Sequence, residues 1–300
     1  MRTASLGMGF EVGHYTDATA HTGCTVILPP PGNVAAVDIR GSSPSERELT
    51  HLDPDRKMTE IHAILLTGGS AFGLAAAGGV MDWLAERDIG YQTGIARVPI
   101  VPAAVIFDLG TGNPDVRPDH EAGRAACDDA RATDVPIGLV GAGTGATVGK
   151  WAGREHLAPG GLGIATVERS GETVAALAVV NSVGDVLAPD GTVVAGTSAP
   201  DPTYVGPDRG PAPTNTVLAV VATRANLDKR EVRFLASRGA DGITISIRPA
   251  HTRYDGDVVF AVAAPEEPRV ANLDVLGHLA TEAVAAAIRA AVEGSGNPAD

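Results

Sequence analysis

Short runs of β-branched and apolar residues recur along the chain and predict buried strands. Such runs stand at residues 24–28, 63–67, 136–140, 173–180 and 216–223. Helical stretches lie between several of them, and we expect helices at about residues 72–87 and 121–131. Strand and helix patterns that follow one another in this way predict mixed α/β layers around a common core.

Apolar residues at helical spacing are clearest near the C-terminal end. The stripe consists of Leu276, Leu279, Ala280, Ala283, Val284, Ala287, Ile288 and Ala291. It predicts a helix lying on a sheet, and its many alanines indicate a close approach to that sheet. Upstream, strict alternation at residues 243–247 predicts a strand, with residues 257–263 as its hairpin or sheet neighbour. From residue 216 onward we therefore expect strand, helix, strand, strand, helix.

One segment, residues 188–214, breaks this pattern with six prolines and four glycines. A loop of that length is uncommon inside a compact domain unless it is functional or disordered. It ends directly before Thr216, which opens a fully apolar strand. We expect residues 1–300 to form a single domain with this internal loop, because residues 216–300 alone would have few elements with which to build a core.

Charge and composition exclude several classes of function. The chain has 23 basic and 36 acidic residues, a net charge of -13, and no basic cluster, so we expect no nucleic-acid partner. It has no run of 18 apolar residues and no signal-like start, which predicts no membrane partner and a cytoplasmic location. The histidines are scattered singly, so we expect no metal, and no cofactor is expected either.

The candidate chemistry centres on the junction of Asn215 and Thr216. A threonine hydroxyl is a poor nucleophile without a base, and a free α-amino group, with a pKa of about 7.7 to 8.0, suits that work. A threonine inside a chain has no such amine until the bond before it is cut. We therefore expect autocatalytic cleavage between Asn215 and Thr216, giving an α segment of residues 1–215 and a β segment of residues 216–300.

Asp255 and Asp257 form a carboxylate pair separated by Gly256, just before a strand. Alternation would put both side chains on one face, close enough to couple their pKa values and to orient an amine or hydroxyl.

Several motifs in order give the chain a resemblance to a known family. They are GGSAFGL at Gly68, RVPIVPAAVIFDLG at Arg97, VGAGTGATVGK at Val140, GGLG at Gly160, VVNSVGDV at Val179, the Asn215–Thr216 junction and RPAHTRYDGD at Arg248. Over nearly its whole length the chain resembles the self-processing L-aminopeptidase D-amidase/esterase family, whose relatives include β-aminopeptidases and nylon-oligomer hydrolases. The resemblance implies an α/β (α+β) fold, the N-terminal-nucleophile (Ntn) hydrolase-like αββα sandwich.

The same resemblance implies a function and a set of roles. It implies an amidase or aminopeptidase that acts on small amides or peptides through an acyl-enzyme, in a homo-oligomer of processed protomers. Thr216 would be the nucleophile, Asp255 and Asp257 would act with it, Asn181 would help to form the oxyanion hole, and Lys150 would lie near the nucleophile.

Residues of two glycine-rich and apolar motifs are expected at the substrate pocket. Gly68, Gly69 and Ser70 follow a predicted strand and open a helix, where they would shape the pocket or hold an anion. Phe107 stands where several relatives have a tyrosine, so one hydrogen bond to substrate or intermediate is in doubt.

Other interpretations of these motifs stay open at this point. The GAGTGA loop at residues 141–146 imitates a dinucleotide fingerprint and would suit a nucleotide-binding oxidoreductase. Ser70 could be a nucleophile in a strand-to-helix turn, although Phe72 replaces the glycine of that motif. The chain could also be an inactive scaffold of the same fold. In the plainest interpretation Thr216 is an ordinary strand residue, the two aspartates shape a turn, and Lys150 is a solvated surface lysine.

Overall fold

The computed structural model describes residues 2–203, 215–265 and 271–293. Its strands are β1 (Arg2–Ala4), β2 (Glu11–Asp17), β3 (Thr22–Leu28), β4 (Val34–Ile39), β5 (Glu46–Arg47), β6 (Ile64–Thr67), β7 (Tyr91–Gln92), β8 (Arg97–Val98), β9 (Ala103–Val105), β10 (Val135–Ile137), β11 (Thr147–Val148), β12 (Ala158–Pro159), β13 (Gly161–Arg169), β14 (Glu172–Asn181), β15 (Asp185–Leu187), β16 (Val193–Ala195), β17 (Thr216–Thr223), β18 (Ile247–Arg248) and β19 (Val258–Ala263). The α-helices are α1 (Ala76–Ala85), α2 (His120–Asp128), α3 (Lys229–Ser246) and α4 (Leu273–Val292). Short 3-10 helices cover Leu49–Leu52, Ser70–Ala75, Gly141–Gly143, Lys150–Ala152 and Arg154–His156.

Two five-stranded sheets form the centre of the molecule. The first sheet has the order β13-β14-β17-β19-β4, and the second sheet has the order β2-β3-β6-β9-β5. Strand β17 is the middle strand of the first sheet, antiparallel to β14 and parallel to β19. The strand that begins at Thr216 therefore has a neighbour on each side, and both neighbours bring side chains or backbone to its first residue.

The two sheets stack face to face and each carries a pair of helices on its outer face. One apolar core lies between the sheets, a second lies between the first sheet and helices α3 and α4, and a third lies between the second sheet and helices α1 and α2. Along β17, Val217 and Val221 face the helices, whereas Leu218 and Val220 face the second sheet. Every residue of β17 is buried, which explains its continuous apolar sequence. The layers follow the predicted αββα order.

The predicted strand at residues 243–247 is wrong, because most of it is the end of helix α3. A helical stripe that includes Val232, Leu235, Ala236, Ala240 and Ile243 is buried along the whole of Lys229–Ser246, and it outweighs a five-residue alternation. The helix begins at a capping box in which Asp228 and Glu231 bond each other's backbone, a signal present in the sequence. Ile245, assigned to the buried face of a strand by the alternation, is 55% exposed on the helix.

The C-terminal helix α4 confirms the predicted stripe and lies close to the first sheet. A Cβ placed on Gly163 of β13 would meet the carbonyl oxygen of Ala287 at 2.1 Å, so this contact requires a glycine opposite the alanine-rich helix. By length and composition α4 is apolar enough to cross a membrane, with a mean hydropathy of 1.4, but 67% of that window is buried inside the protein. Its apolar stripe is a face of the core.

The remaining predicted elements differ in detail from the structure. The predicted 72–87 helix starts as the 3-10 helix Ser70–Ala75 and continues as α1, and the run at 136–140 contributes only the short strand β10. The loop at residues 188–214 contains one short strand, β16, which pairs with β15. Its residues 204–214 lie outside the described residues. The single domain and its division at residue 215 stay predictions.

Candidate active site

Thr216 lies at the first position of β17, with its hydroxyl against the peptide bond that precedes it. Its Oγ1 donates a hydrogen bond to the carbonyl oxygen of Asn215 at 2.5 Å, and both residues are buried. A hydroxyl held beside its own preceding carbonyl is the arrangement from which an intramolecular attack on that carbonyl carbon can begin.

The carbonyl of Asn215 is held on its other side by the turn that leads into β19. The backbone N–H of Gly256 donates to Asn215 O at 2.9 Å, and Asn215 and Asp255 form a parallel bridge. The Asn215 side chain donates from Nδ2 to the Tyr254 carbonyl at 3.3 Å. Its Oδ1 is buried without a hydrogen-bond partner among the described residues. The Gly256 N–H thus points at the oxygen on which negative charge would develop during attack.

Asn181 is the cross-strand partner of Thr216, at the last position of β14. Its Oδ1 accepts hydrogen bonds from Lys150 Nζ at 2.8 Å and from Thr147 N at 3.1 Å. These two donors fix the orientation of the amide and leave its Nδ2 as a donor, which bonds the Phe107 carbonyl at 3.3 Å.

Lys150 is buried, so the interpretation as a solvated surface lysine is wrong. Its Nζ also donates to the Asn181 carbonyl, at 3.1 Å. Burial, together with the charge of Arg154, lowers the pKa of Lys150 well below its ordinary value, while the charge of Asp255 opposes that shift. A buried lysine with a lowered pKa is typical of functional sites, because its neutral amine becomes accessible near neutral pH.

Asp255 and Asp257 are both buried, and each bonds different partners. Asp255 accepts from the Thr252 hydroxyl at 2.6 Å and from Val183 N at 3.4 Å. Asp257 accepts from Val217 N at 2.7 Å, one residue beyond the candidate nucleophile. Burial, followed by the charge of Asp257, raises the pKa of Asp255 to about 6. The aspartates are therefore electrostatically coupled, and they also shape the turn.

The His251 side chain lies between Asp257 and helix α3. Its Nδ1 lies 2.7 Å from Asp257 Oδ2, and its Nε2 lies 3.2 Å from the carbonyl oxygen of Ala240 in α3. Burial lowers the pKa of His251, but the hydrogen bond and charge of Asp257 outweigh burial and raise it above its ordinary value. Its backbone has a φ of 53°, a left-handed conformation that is uncommon outside glycine.

The predicted pocket residues lie one contact away from Asn181. Asp108, next to Phe107, accepts from Gly69 N at 2.7 Å, and Ser70 N donates to Ile106 O at 3.0 Å. The motif at Gly68 therefore braces the segment whose Phe107 carbonyl meets the Asn181 amide. Burial raises the pKa of Asp108, although the bond from Gly69 opposes that shift.

Neither rival motif forms the site that it would need. Residues 141–146 are buried throughout, and a 3-10 helix at Lys150–Ala152 follows them instead of an α-helix, so no helix N-terminus faces a pyrophosphate. Ser70 does have the positive φ of a strained turn, at 54°. Across the described ranges, however, no histidine or carboxylate hydrogen-bonds its hydroxyl. Among the residues that the structure describes, no cluster of side chains could hold a metal ion.

Three groups at the site escaped the sequence-based prediction. They are the Gly256 N–H, the Val217 N–H and the His251 side chain. Backbone donors carry no residue-type signal, so the sequence could not reveal the first two. His251 stands in the RPAHTRYDGD motif, and its place six residues before Asp257 was the only indication of its role.

Comparison with known proteins identifies the family of this chain. The family model for peptidase family S58 matches residues 8–295. The chain belongs to peptidase family S58. An uncharacterized aminopeptidase of Mycobacterium leprae is 41% identical over 301 residues, covering 89% of this chain and 80% of that protein. A 6-aminohexanoate-oligomer endohydrolase of Paenarthrobacter ureafaciens is 32% identical over 284 residues, covering 87% of this chain and 74% of that protein.

Solved structures of S58-like proteins share the fold. An L-aminopeptidase D-Ala-esterase/amidase of Ochrobactrum anthropi, described as a variant of the Ntn hydrolase fold, superposes with a TM-score of 0.74 at 20% identity. The match covers 97% of this chain and 87% of that one. A β-aminopeptidase of Burkholderia sp. superposes with a TM-score of 0.71 at 22% identity, covering 97% and 86%. The predicted Ntn-hydrolase-like fold is confirmed, and so is the family resemblance.

Membership of a peptidase family gives this S58 chain its general chemistry. The protein is an enzyme that hydrolyses amide bonds, and its substrates are peptides or amides.

Proposed function

We propose that this chain cuts its own Asn215–Thr216 bond and that the freed Thr216 then hydrolyses small amides or peptides. The observation that carries the proposal is the contact between Thr216 Oγ1 and the Asn215 carbonyl, 2.5 Å apart, with the Gly256 N–H on the same oxygen.

The self-cleavage would proceed as an acyl shift followed by hydrolysis. Thr216 Oγ1 forms a bond to the Asn215 carbonyl carbon while its proton passes to a nearby base, and the Gly256 N–H stabilises the oxyanion. The bond from that carbon to the Thr216 nitrogen then breaks, the nitrogen takes up a proton, and an ester remains. Water hydrolyses the ester, which leaves Asn215 with a free carboxylate and restores the Thr216 hydroxyl.

Substrate hydrolysis would reuse the same groups with the new α-amine as the base. The amine accepts the Thr216 hydroxyl proton as Oγ1 attacks the substrate carbonyl, an acyl-enzyme forms, the substrate amine leaves protonated, and water releases the acid. The Asn181 amide and the Gly256 N–H would be the donors to the oxyanion. Asp255 and Asp257 would stabilise positive charge on the Thr216 amine.

The names of the relatives support a substrate class. They include aminopeptidases, a β-aminopeptidase and an endohydrolase of 6-aminohexanoate oligomers. We propose the same class here, and a homo-oligomer of processed protomers as the working form. A screen of α-amino, β-amino and ω-amino amides would identify the substrate.

The test compares the wild-type chain with Thr216→Ala and Thr216→Ser. On a denaturing gel, the wild type and the serine variant should each give two bands, and intact mass should place the cut before residue 216. Thr216→Ala should stay one chain and lose amide hydrolysis. An alanine variant that is still cut at this bond, or that still hydrolyses the substrate, would refute the proposal. A wild-type chain that stays intact and inactive would support the inactive scaffold instead.

A further inference from the structure

We infer that His251 is a positioning residue: as a buried imidazolium it keeps Asp257 ionised, so that Asp255 is the aspartate that exchanges a proton during the reaction. The inference rests on the proposed function, because it takes Thr216 as the nucleophile beside these carboxylates. It assigns different roles to two aspartates that the sequence alone treats as equivalent.

The protonation state of His251 follows from its two contacts. Nε2 faces the Ala240 carbonyl, which can only accept, so Nε2 must carry a proton. Nδ1 faces Asp257 Oδ2 at 2.7 Å, and one proton lies between them. An imidazole has a higher ordinary pKa than a carboxylic acid, about 6.5 against about 3.9, so that proton belongs to Nδ1. Both ring nitrogens are then protonated and Asp257 is an anion.

Asp257 is therefore held in a fixed position next to the residue that follows the candidate nucleophile. One carboxylate oxygen is held by the imidazolium, and the other accepts from Val217 N at 2.7 Å. Val217 directly follows Thr216, so this bond sets the first peptide unit of β17. One of the two groups bound to Asp257 is the His251 imidazolium, and a cationic partner suits a carboxylate that stays ionised and positions its neighbours.

The consequence for Asp255 is the opposite. Its Oδ2 accepts from the Thr252 hydroxyl at 2.6 Å and from Thr252 N at 2.8 Å, and its Oδ1 accepts from Val183 N at 3.4 Å. All three donors are neutral, and no cation is in direct contact with it in the described part of the chain. Burial and the neighbouring anion favour its protonated form, and its pKa of about 6 lies close to neutral pH. A carboxyl group of this kind can accept and return a proton with little driving force lost.

The other charged groups near His251, Asp257 and Asp255 do not change these protonation states. The charge of Arg40, which directly follows β4, opposes the protonation of His251. Arg40 is itself bonded to Asp38 at 2.6 Å and lies 3.9 Å from Asp241 of α3. The Lys150 ammonium and Asp255 attract each other, but burial lowers the pKa of Lys150 and so weakens this interaction. The direct contact with Asp257 remains the strongest influence on the imidazole.

The direct test measures the protonation of His251 in the wild-type protein by recording 15N NMR signals of its ring nitrogens at a series of pH values. We expect both ring nitrogens to be protonated at neutral pH. The signals of His251 are assigned by their loss in the His251→Asn variant. Asp257→Asn should lower the pKa of His251 by about one pH unit or more. A neutral imidazole at neutral pH would overturn the inference, whether or not the chain cuts itself.

The second test is the pH profile of self-cleavage and of amide hydrolysis in His251→Asn. Asparagine tolerates the left-handed backbone but removes the charge. We expect both rates to fall roughly 10- to 100-fold, and the acidic limb to move up by about one pH unit because the carboxylates lose a neighbouring cation.

The matched control is His120→Asn, which removes a histidine from an exposed pair with Asp82 at 2.8 Å, close to the 2.7 Å of the His251–Asp257 pair. It should change neither the rates nor the acidic limb. An unmoved limb in a folded His251→Asn protein would overturn the inference. Thr216→Ala tests the nucleophile separately, so failure of one proposal is distinguishable from failure of the other.

Discussion

Asp255 is held in an environment that costs stability at neutral pH, and Asp255→Asn should remove that cost. Its pKa is raised from 3.8 to about 6 in the folded chain. Each unit of pKa shift corresponds to about 1.4 kcal/mol, so keeping Asp255 ionised costs the fold about 3 kcal/mol above pH 7. Asparagine cannot ionise, but it loses part of the bonding from Thr252, worth about 1 to 1.5 kcal/mol. The net expectation is a gain of about 1 to 2 kcal/mol.

The sign of the pH dependence follows from the direction of that shift. A folded-state pKa above the unfolded value means that the stabilising effect of protonation is present below about pH 4 and is lost as the pH rises through about 6. The ionisation cost is about half as large near pH 5 as near pH 7.5, so the net advantage of Asp255→Asn should be full near pH 7.5 and nearly vanish near pH 5, where the lost Thr252 bonding offsets it. The same substitution should slow self-cleavage, because the carboxyl that accepts a proton is gone.

The assay is thermal unfolding at the two pH values, in a Thr216→Ala background so that all chains share one covalent state. A gain of 1 to 2 kcal/mol corresponds to a rise in Tm of about 1.5 to 3 °C for a protein of this size. Asp257→Asn is the matched control and should lower Tm, because it leaves the His251 imidazolium without its partner. A less stable Asp255→Asn chain near pH 7.5, or equal effects at both pH values, would refute the reasoning.

Two further predictions concern the support of Asn181 and the closeness of helix α4. Lys150→Met should slow self-cleavage about 100-fold, because the Asn181 amide loses the donor that orients it. Tm should fall little, because an apolar side chain replaces a buried amine. A normal cleavage rate on a gel time course would contradict this prediction. Gly163→Ala should lower Tm, because its Cβ would meet Ala287 O at 2.1 Å, whereas Gly78→Ala, whose nearest neighbour would be at 3.5 Å, should be neutral or stabilising. Equal Tm values for the two glycine variants would contradict the close approach.

The sequence by itself determined the parts of this protein that depend on local pattern. The stripe of α4 and the apolar run of β17 predicted their elements because burial on one face, or on both, leaves a periodic trace. The ordered motifs predicted the family and the αββα layers. The Pro-rich loop before Asn215 and Thr216 marked the junction, because such composition cannot continue a helix or a central strand.

Tertiary structure decided what depends on contacts between distant segments. The alternation at residues 243–247 was too short to distinguish a strand from a helix end, and packing along the whole of α3 settled the matter. Burial made Lys150 a partner of Asn181, and the turn before β19 brought the Gly256 N–H to the Asn215 carbonyl. Hydrogen bonds to backbone groups and pKa shifts from burial have no signature in residue order, because they arise only when separate strands are placed side by side.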